Sequence, residues 1–147
     1  ENLTLKQVLT LLISLTRIVS LTHLENALIE VATQNNFSSA EIEESKQIAA
    51  IVSMLNTYYK FRFFVEKNDE NASTLYGNPA LRMNALFKPI LGKETFEIAA
   101  LGVSILNSCE KCVIAHEKAL LDLNVSRETI HDIMRLASVI KGMSFLH

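Results

Sequence analysis

The stretch FEIAALGVSILNSCEKCVIAHEKAL, residues 96–120, carries the pattern that decides the fold of this chain. Apolar residues recur at helical spacing on both sides of Asn107, and the polar residues around Asn107 interrupt that spacing. The pattern predicts two helices, the second of which begins near Asn107 with a capping box formed by Asn107 and Glu110. If the chain reverses near Asn107, equal steps on either side of the turn place Glu97 opposite residue 116 or 117.

The second helix of this stretch carries both cysteines of the chain and one of its four histidines. Successive residues of an α-helix turn by about 100°, so Cys112 lies about 60° from Cys109 and about 40° from His116. The three side chains therefore share one face, and the two cysteines lie close enough to form a disulfide. The positive end of the helix favours thiolate and would lower the pKa of such a thiol from about 8.5 to about 7.

An acid–base pair next to the thiols completes the candidate site. His116 lies one turn after Cys112 and can take its proton, and Glu97 can orient the imidazole if the two helices are antiparallel. The residues alone leave three uses open. The site could belong to a redox-active thiol enzyme, or to an enzyme that uses Glu97 and His116 as acid and base. It could also be a metal-binding, non-enzymatic domain in which Cys109, Cys112, His116 and Glu97 are ligands.

Helical periodicity extends over almost the whole chain and predicts an all-α fold, a single helical bundle formed by one domain over residues 1–147. The segment YYKFRFFVEK, residues 58–67, is interpreted as the aromatic end of a helix, with basic side chains extending to solvent. The polar run that follows it breaks the helical pattern. The predicted helix starts lie near Leu5 and Leu24, at the capping box of Ser38 and Glu41, after Gly92, near Asn107 and at Ser126.

A weak internal repeat appears at an offset of 88 residues, where residues 35–52 align with residues 123–140. The aligned segments are NNFSSAEIEESKQIAAIV and LNVSRETIHDIMRLASVI. The repeat predicts two related helical halves, of which one has kept a reactive site. At the same offset, the four polar site positions Glu97, Cys109, Cys112 and His116 fall on the leucines Leu9, Leu21, Leu24 and Leu28.

The composition excludes several classes of function. Apolar residues make up 49% of the chain and the net charge is −2, so no overall positive field attracts nucleic acid or an anionic membrane. No segment approaches the roughly 20 apolar residues that a transmembrane helix needs. The sequence has no Gly-rich phosphate loop, and we expect no bound cofactor. A single CxxC pair in an otherwise cysteine-free chain fits a reducing compartment, so we expect a cytoplasmic protein.

Glu97, Cys109-Glu-Lys-Cys112 and His116 together resemble the E-x11-C-x-x-C-x3-H signature of the alkylhydroperoxidase D family, which has a carboxymuconolactone decarboxylase-like fold. The segments LRMN, residues 81–84, and NVSRETI, residues 124–130, also read like family sequence, and the resemblance covers nearly the whole chain. It implies an all-helical protomer in a homo-oligomer, with a trimer favoured, that acts as a thiol-dependent antioxidant enzyme.

The resemblance also implies a role for each site residue. Cys112 would be the peroxidatic thiol that attacks an organic hydroperoxide, and Cys109 would resolve the sulfenic acid and act as proton donor. Glu97 and His116 would form the proton relay. The external reductant would be a lipoyl-type dithiol such as dihydrolipoamide, carried by a lipoylated protein, and a peroxiredoxin would be a further partner.

The residue before the second cysteine departs from the family pattern. Peroxidase-type members often have a histidine there, whereas this chain has Lys111. A lysine can stabilise thiolate but shuttles protons poorly near neutral pH, so we expect Lys111 to modulate the site in favour of disulfide exchange over direct peroxidase activity. From their positions, Leu106, Val113, Phe87 and Met83 are candidates for lining a substrate channel.

Overall fold

The computed structural model describes residues 2–81 and 88–146, and within these ranges the regular structure is entirely helical. The all-α prediction is therefore confirmed, and the aromatic segment forms the C-terminal part of the third helix. No helix of the described chain combines the length and the apolar character needed to cross a bilayer. The helices are α1 (Leu5–Ile18), α2 (Thr22–Gln34), α3 (Ser39–Glu66), the single turn α4 (Ala72–Leu75), α5 (Lys93–Leu106), α6 (Glu110–Asp122) and α7 (Arg127–Met143).

Side-chain caps fix the two helix starts that the sequence predicted at serines. Ser38 Oγ accepts a hydrogen bond from the backbone N–H of Glu41 at 3.1 Å, and Glu41 Oε1 accepts one from the N–H of Ser38 at 2.9 Å. Ser126 Oγ accepts from the N–H of Thr129 at 3.1 Å. Hydrogen bonds from Lys6 and then from the Ser38 backbone hold the pKa of Glu41 below its usual range.

Helix α5 lies at the centre of the bundle, in contact with α1 on one side and α3 on another. Every residue of α5 from 95 to 104 is buried. Gly102 permits the close approach of α1, because a Cβ atom there would lie 2.6 Å from Leu11 Cδ1 and 3.1 Å from Leu15 Cδ2. Against α3, α5 packs an apolar cluster of Ile48, Val52, Phe96, Ala99, Ala100 and Val103. Glu97 therefore lies on a helix whose position is fixed by packing against both α1 and α3.

The internal repeat is confirmed by the helix bounds. Helices α1 and α2 recur 88 residues later as α5 and α6, residue for residue, and α7 begins 88 residues after α3. The turns recur as well, since the left-handed residues Ser20 (φ 59°) and Asn36 (φ 68°) correspond to Ser108 (φ 56°) and Asn124 (φ 64°). The two halves share one framework, and the polar site residues lie where the N-terminal half has leucines.

The turn between α5 and α6 corrects one prediction. Asn107 is the C-cap of α5, Ser108 adopts the left-handed conformation, and Cys109 is the N-cap of α6. The predicted capping box of Asn107 and Glu110 is wrong, because the Asn107 side chain donates to two side chains of α3 instead. Cys109 consequently precedes the helix rather than lying within its first turn.

Candidate active site

The two cysteines form a disulfide at the start of α6, with Cα atoms 5.2 Å apart. The predicted proximity of the two sulfur atoms is confirmed. Cys112 is the third residue of α6, where backbone N–H groups lack helical partners and the positive end of the helix stabilises a thiolate. Cys109 is 1% exposed, whereas Cys112 is 8% exposed and borders a cleft. Of the two sulfur-bearing residues, Cys112 is therefore the one that small molecules in this cleft would meet.

Glu97 of α5 and His116 of α6 meet across the antiparallel helix pair, as counting residues from the turn predicted. Glu97 Oε1 lies 2.7 Å from His116 Nδ1. An ionised carboxylate can only accept a hydrogen bond, so Nδ1 carries the proton and Nε2 remains free to accept one. Glu97 is buried, and Lys93 Nζ lies 3.6 Å from its other oxygen. The carboxylate thus fixes both the orientation and the tautomer of the imidazole.

A cleft of about 380 Å³ between α3 and α6 brings the thiol and the imidazole into one cavity. Its volume lies in the range of small-molecule sites. Apolar side chains form much of its wall, and Arg62 and Lys111 contribute positive charge. The lining residues are Leu55, Asn56, Tyr59, Arg62, Lys111, Cys112, Ala115 and His116. The arrangement can place a small apolar reactant against Cys112 while His116 accepts or donates a proton.

Four side chains of α3 line this cleft, and the sequence did not predict that they would. Leu106 and Val113, which were proposed as channel residues, border other depressions of the surface, and Phe87 and Met83 lie outside the described residues. A usable signal was present, because Leu55, Tyr59 and Arg62 follow one another at steps of four and three residues and share a helix face.

Lys111 joins the start of α6 to the end of α3. Its ammonium group forms an ion pair with Glu66 and lies 5.0 Å from the centre of the Phe63 ring. Lys111 also borders the cleft at Cys112. A modulating effect of this lysine on the thiol remains a prediction.

A buried polar network fixes the turn that carries the cysteines. Asn107 Nδ2 donates to Ser53 Oγ at 2.9 Å and to Asn56 Oδ1 at 3.0 Å, and Asn56 Nδ2 donates to Ser104 Oγ at 3.0 Å. Lys60 Nζ donates to the backbone carbonyl of Asn107 at 3.0 Å. Asn56 is 1% exposed, so water cannot reach its amide group. The hydrogen bonds of the network satisfy that group instead.

The network forms at the turn that carries the thiols, and the corresponding turn of the N-terminal half lacks the asparagine at its centre. At the offset of the repeat, Asn107 corresponds to Val19 and Ser104 corresponds to Thr16. The apolar valine cannot make the bonds of Asn107, although its turn has the same backbone conformation. The polar contacts are therefore additional to what the turn itself requires, and they tie the CxxC segment to α3.

We expect Asn56→Ala to destabilise the protein by about 1–3 kcal/mol, because it removes the donor to the buried hydroxyl of Ser104 and one of the two acceptors of the Asn107 amide. Urea denaturation followed by circular dichroism measures the change. Thr57→Ala is the matched control, since Thr57 is exposed and its hydroxyl bonds only to the carbonyl of Ser53 in its own helix. Equal midpoints for the two variants would contradict a stabilising network.

The metal-site hypothesis gains no support from the geometry. In the ranges that the structure covers, no three His, Cys, Asp or Glu side chains converge as a ligand group. The two sulfur atoms that would have to act as thiolate ligands are bonded to each other.

Comparisons with known proteins agree with this site. The model of the carboxymuconolactone decarboxylase family matches residues 75–144. The alkyl hydroperoxide reductase AhpD of Anaeromyxobacter dehalogenans is 41% identical over 102 residues, which cover 69% of this chain and 52% of that protein. AhpD of Bradyrhizobium sp. (strain BTAi1) is 35% identical over 119 residues, or 80% of this chain and 63% of that protein. AhpD of Mycolicibacterium smegmatis is 38% identical over 96 residues, or 65% and 51%.

The chain thus spans between 51% and 63% of the length of these curated relatives. The matched region includes both cysteines, His116 and Glu97. The resemblance inferred from the spacing of these residues is therefore supported over most of the chain. The chain belongs to the carboxymuconolactone decarboxylase family, and alkyl hydroperoxide reductases of the AhpD type are its relatives.

Proposed function

We propose that this chain is a thiol-dependent peroxidase that reduces organic hydroperoxides and exchanges disulfides with external dithiols. The observation that carries the proposal is the shared cleft of Cys112 and His116, in which a buried carboxylate orients the imidazole and the second cysteine lies within disulfide distance. The relatives are named alkyl hydroperoxide reductases, which indicates the same chemistry for those proteins.

In the proposed oxidation, His116 Nε2 takes the proton of Cys112 and the thiolate attacks the outer oxygen of the hydroperoxide. The O–O bond breaks, the alkoxide takes up a proton and leaves as an alcohol, and Cys112 becomes a sulfenic acid. The Cys109 thiol then supplies a proton and displaces the hydroxyl as water, which forms the disulfide. The two thiols give up two electrons in total, and one hydroperoxide becomes one alcohol and one water.

In the proposed reduction, a thiolate of an external dithiol attacks the disulfide to form a mixed disulfide, and its second thiol releases the reduced chain. Dihydrolipoamide on a lipoylated protein is the reductant that we propose, with the disulfide of a peroxiredoxin as an alternative electron acceptor. Because the cycle needs both thiols free, a reducing cytoplasm suits it. We expect the active form to be a homo-oligomer, with a trimer favoured.

A second candidate is a decarboxylase or isomerase in which Glu97 and His116 act as acid and base. The name of the matching family model favours it, and the hydrogen-bonded pair supplies the necessary groups. Its weakness is that it assigns no chemistry to two cysteines that share the site.

Turnover of cumene hydroperoxide with dihydrolipoamide tests the proposal. We expect steady consumption of the peroxide, together with a loss of about 2 Da from the reduced chain after limited peroxide, as one disulfide forms. An unchanged mass combined with activity on a lactone would favour the second candidate. Stoichiometric zinc in metal analysis, with no turnover, would instead support a metal-binding domain.

A further inference from the structure

The cleft at Cys112 has a rim that carries more positive than negative charge. Arg62 and Lys111 both border the cleft, and both pair with Glu66, the Arg62 Nε lying 3.9 Å from Glu66 Oε1. Among the residues that the structure describes, Glu66 is the one carboxylate paired with either cation. One carboxylate cannot neutralise two cations, so a positive charge remains at the entrance to the site.

A third cation adds to this excess. Lys67 Nζ lies 4.9 Å from the centre of the Phe63 ring, the ring that Lys111 Nζ approaches at 5.0 Å. Within residues 2–81 and 88–146, Lys67 has no carboxylate partner, and with the exposed Glu110 counted beside Glu66 these three cations still outnumber the two carboxylates. The chain as a whole has a net charge of −2, so this local excess opposes the overall charge.

The two cations at the cleft differ in how firmly they are held. Arg62 Nη1 donates to the backbone carbonyls of Tyr76 at 3.3 Å and Gly77 at 3.2 Å, and its guanidinium lies 4.7 Å from the centre of the Tyr59 ring. A guanidinium fixed in this way loses little freedom when it binds a carboxylate. The side chain of Lys111 is 49% exposed, so its ammonium group can follow a ligand.

The cleft also has an apolar part of its wall. Leu55 and Tyr59 of α3 and Ala115 of α6 line it together with Cys112 and His116. A ligand that matches these features has an apolar stem, a negative charge at one end and a reactive group that reaches the sulfur atom.

We propose that the cleft selects organic hydroperoxides that carry a carboxylate on an apolar stem, such as fatty-acid hydroperoxides, a substrate class that rests on the proposed peroxidase function. The carboxylate binds between Arg62 and Lys111 through charge-assisted hydrogen bonds. The stem lies along Leu55 and Tyr59, and the peroxide group meets Cys112. Glu66 releases part of its pairing with Lys111 when the ligand enters.

A fatty-acid hydroperoxide and its methyl ester form a matched pair that tests this selection, because they differ in the negative charge and otherwise by one methyl group. We expect the wild-type kcat/KM for the acid to exceed that for the ester by about fivefold, a size typical of a partly exposed ion pair. In Lys111→Gln the ratio should fall towards unity. The ratio cancels any effect of the substitution on the reactivity of the thiol itself.

Lys118→Gln is the control, since Lys118 lies on α6 but pairs with Asp122 and does not border the cleft. It should leave the ratio of acid to ester unchanged. Equal kcat/KM values for acid and ester in the wild-type protein would overturn the proposed selection and leave the peroxidase function standing. A ratio that Lys118→Gln lowers as much as Lys111→Gln would also overturn it.

A binding measurement keeps the anion site testable without turnover. Octanoate should slow the alkylation of Cys112 by iodoacetamide in the dithiol-reduced protein, and the uncharged octanamide should slow it about fivefold less effectively. If neither hydroperoxide is reduced, the proposed function fails, and this comparison decides the anion site separately. Equal protection by octanoate and octanamide would overturn the site.

Discussion

Cys112→Ser is expected to abolish hydroperoxide turnover, with a loss of at least about 10⁴-fold, because removal of the attacking nucleophile leaves no alternative route for the reaction. Serine keeps the size and position of the side chain at the third residue of α6. Its hydroxyl, however, neither ionises near neutral pH nor forms a sulfenic acid. The measurement is consumption of cumene hydroperoxide with dihydrolipoamide as the reductant.

Cys109→Ser is the matched variant, because it removes the same disulfide but leaves the proposed nucleophile. After the external dithiol has been removed, we expect it to reduce one equivalent of hydroperoxide per chain and then stop, with a gain of about 16 Da for a sulfenic acid at Cys112. Dimedone should trap this sulfenic acid, and Cys112→Ser should give no adduct. If Cys109→Ser stayed inert while Cys112→Ser gave the single turnover, the roles of the two cysteines would be reversed.

Contacts within one helix pair could be predicted from the sequence because the helical rise is uniform. Counting equal steps from the turn placed Glu97 opposite His116, and the structure has their side chains 2.7 Å apart. The serine caps and the repeat were predictable for the same reason, since each depends on residues with a fixed spacing. The predicted cap of α6, Asn107, lies two residues before the observed N-cap, Cys109. Cys109 therefore precedes the helix instead of lying in its first turn.

Contacts between distant segments could not be predicted in this way. Asn107 has the residue type and spacing of a helix cap, and only the position of α3 shows that Ser53 and Asn56 take its hydrogen bonds. The pairing of Lys111 with Glu66 likewise depends on how α3 packs against α6. Local preference therefore described the helices well, whereas tertiary packing decided the partners of polar side chains and the wall of the cleft.

His116→Gln is expected to slow both hydroperoxide turnover and the alkylation of Cys112 near neutral pH by about 10²–10³-fold, the range found when a general base is removed. The glutamine amide can occupy the space of the ring but cannot take up a proton. Alkylation of the dithiol-reduced protein by iodoacetamide measures the reactivity of the thiol without a hydroperoxide. An unaltered alkylation rate would remove His116 from the mechanism.

Glu97→Gln should have a smaller effect of about 10–100-fold, because Glu97 acts by holding His116 and does not touch the reactant. The amide oxygen can still accept from Nδ1, but the negative charge that stabilises a protonated imidazole is lost. If Glu97 acts only through His116, the double variant should be no slower than His116→Gln alone. Multiplying effects would contradict that coupling, provided that thermal denaturation shows all three variants folded. The double-variant rate thus separates a carboxylate that acts by positioning the imidazole from one that contributes to the reaction independently of His116.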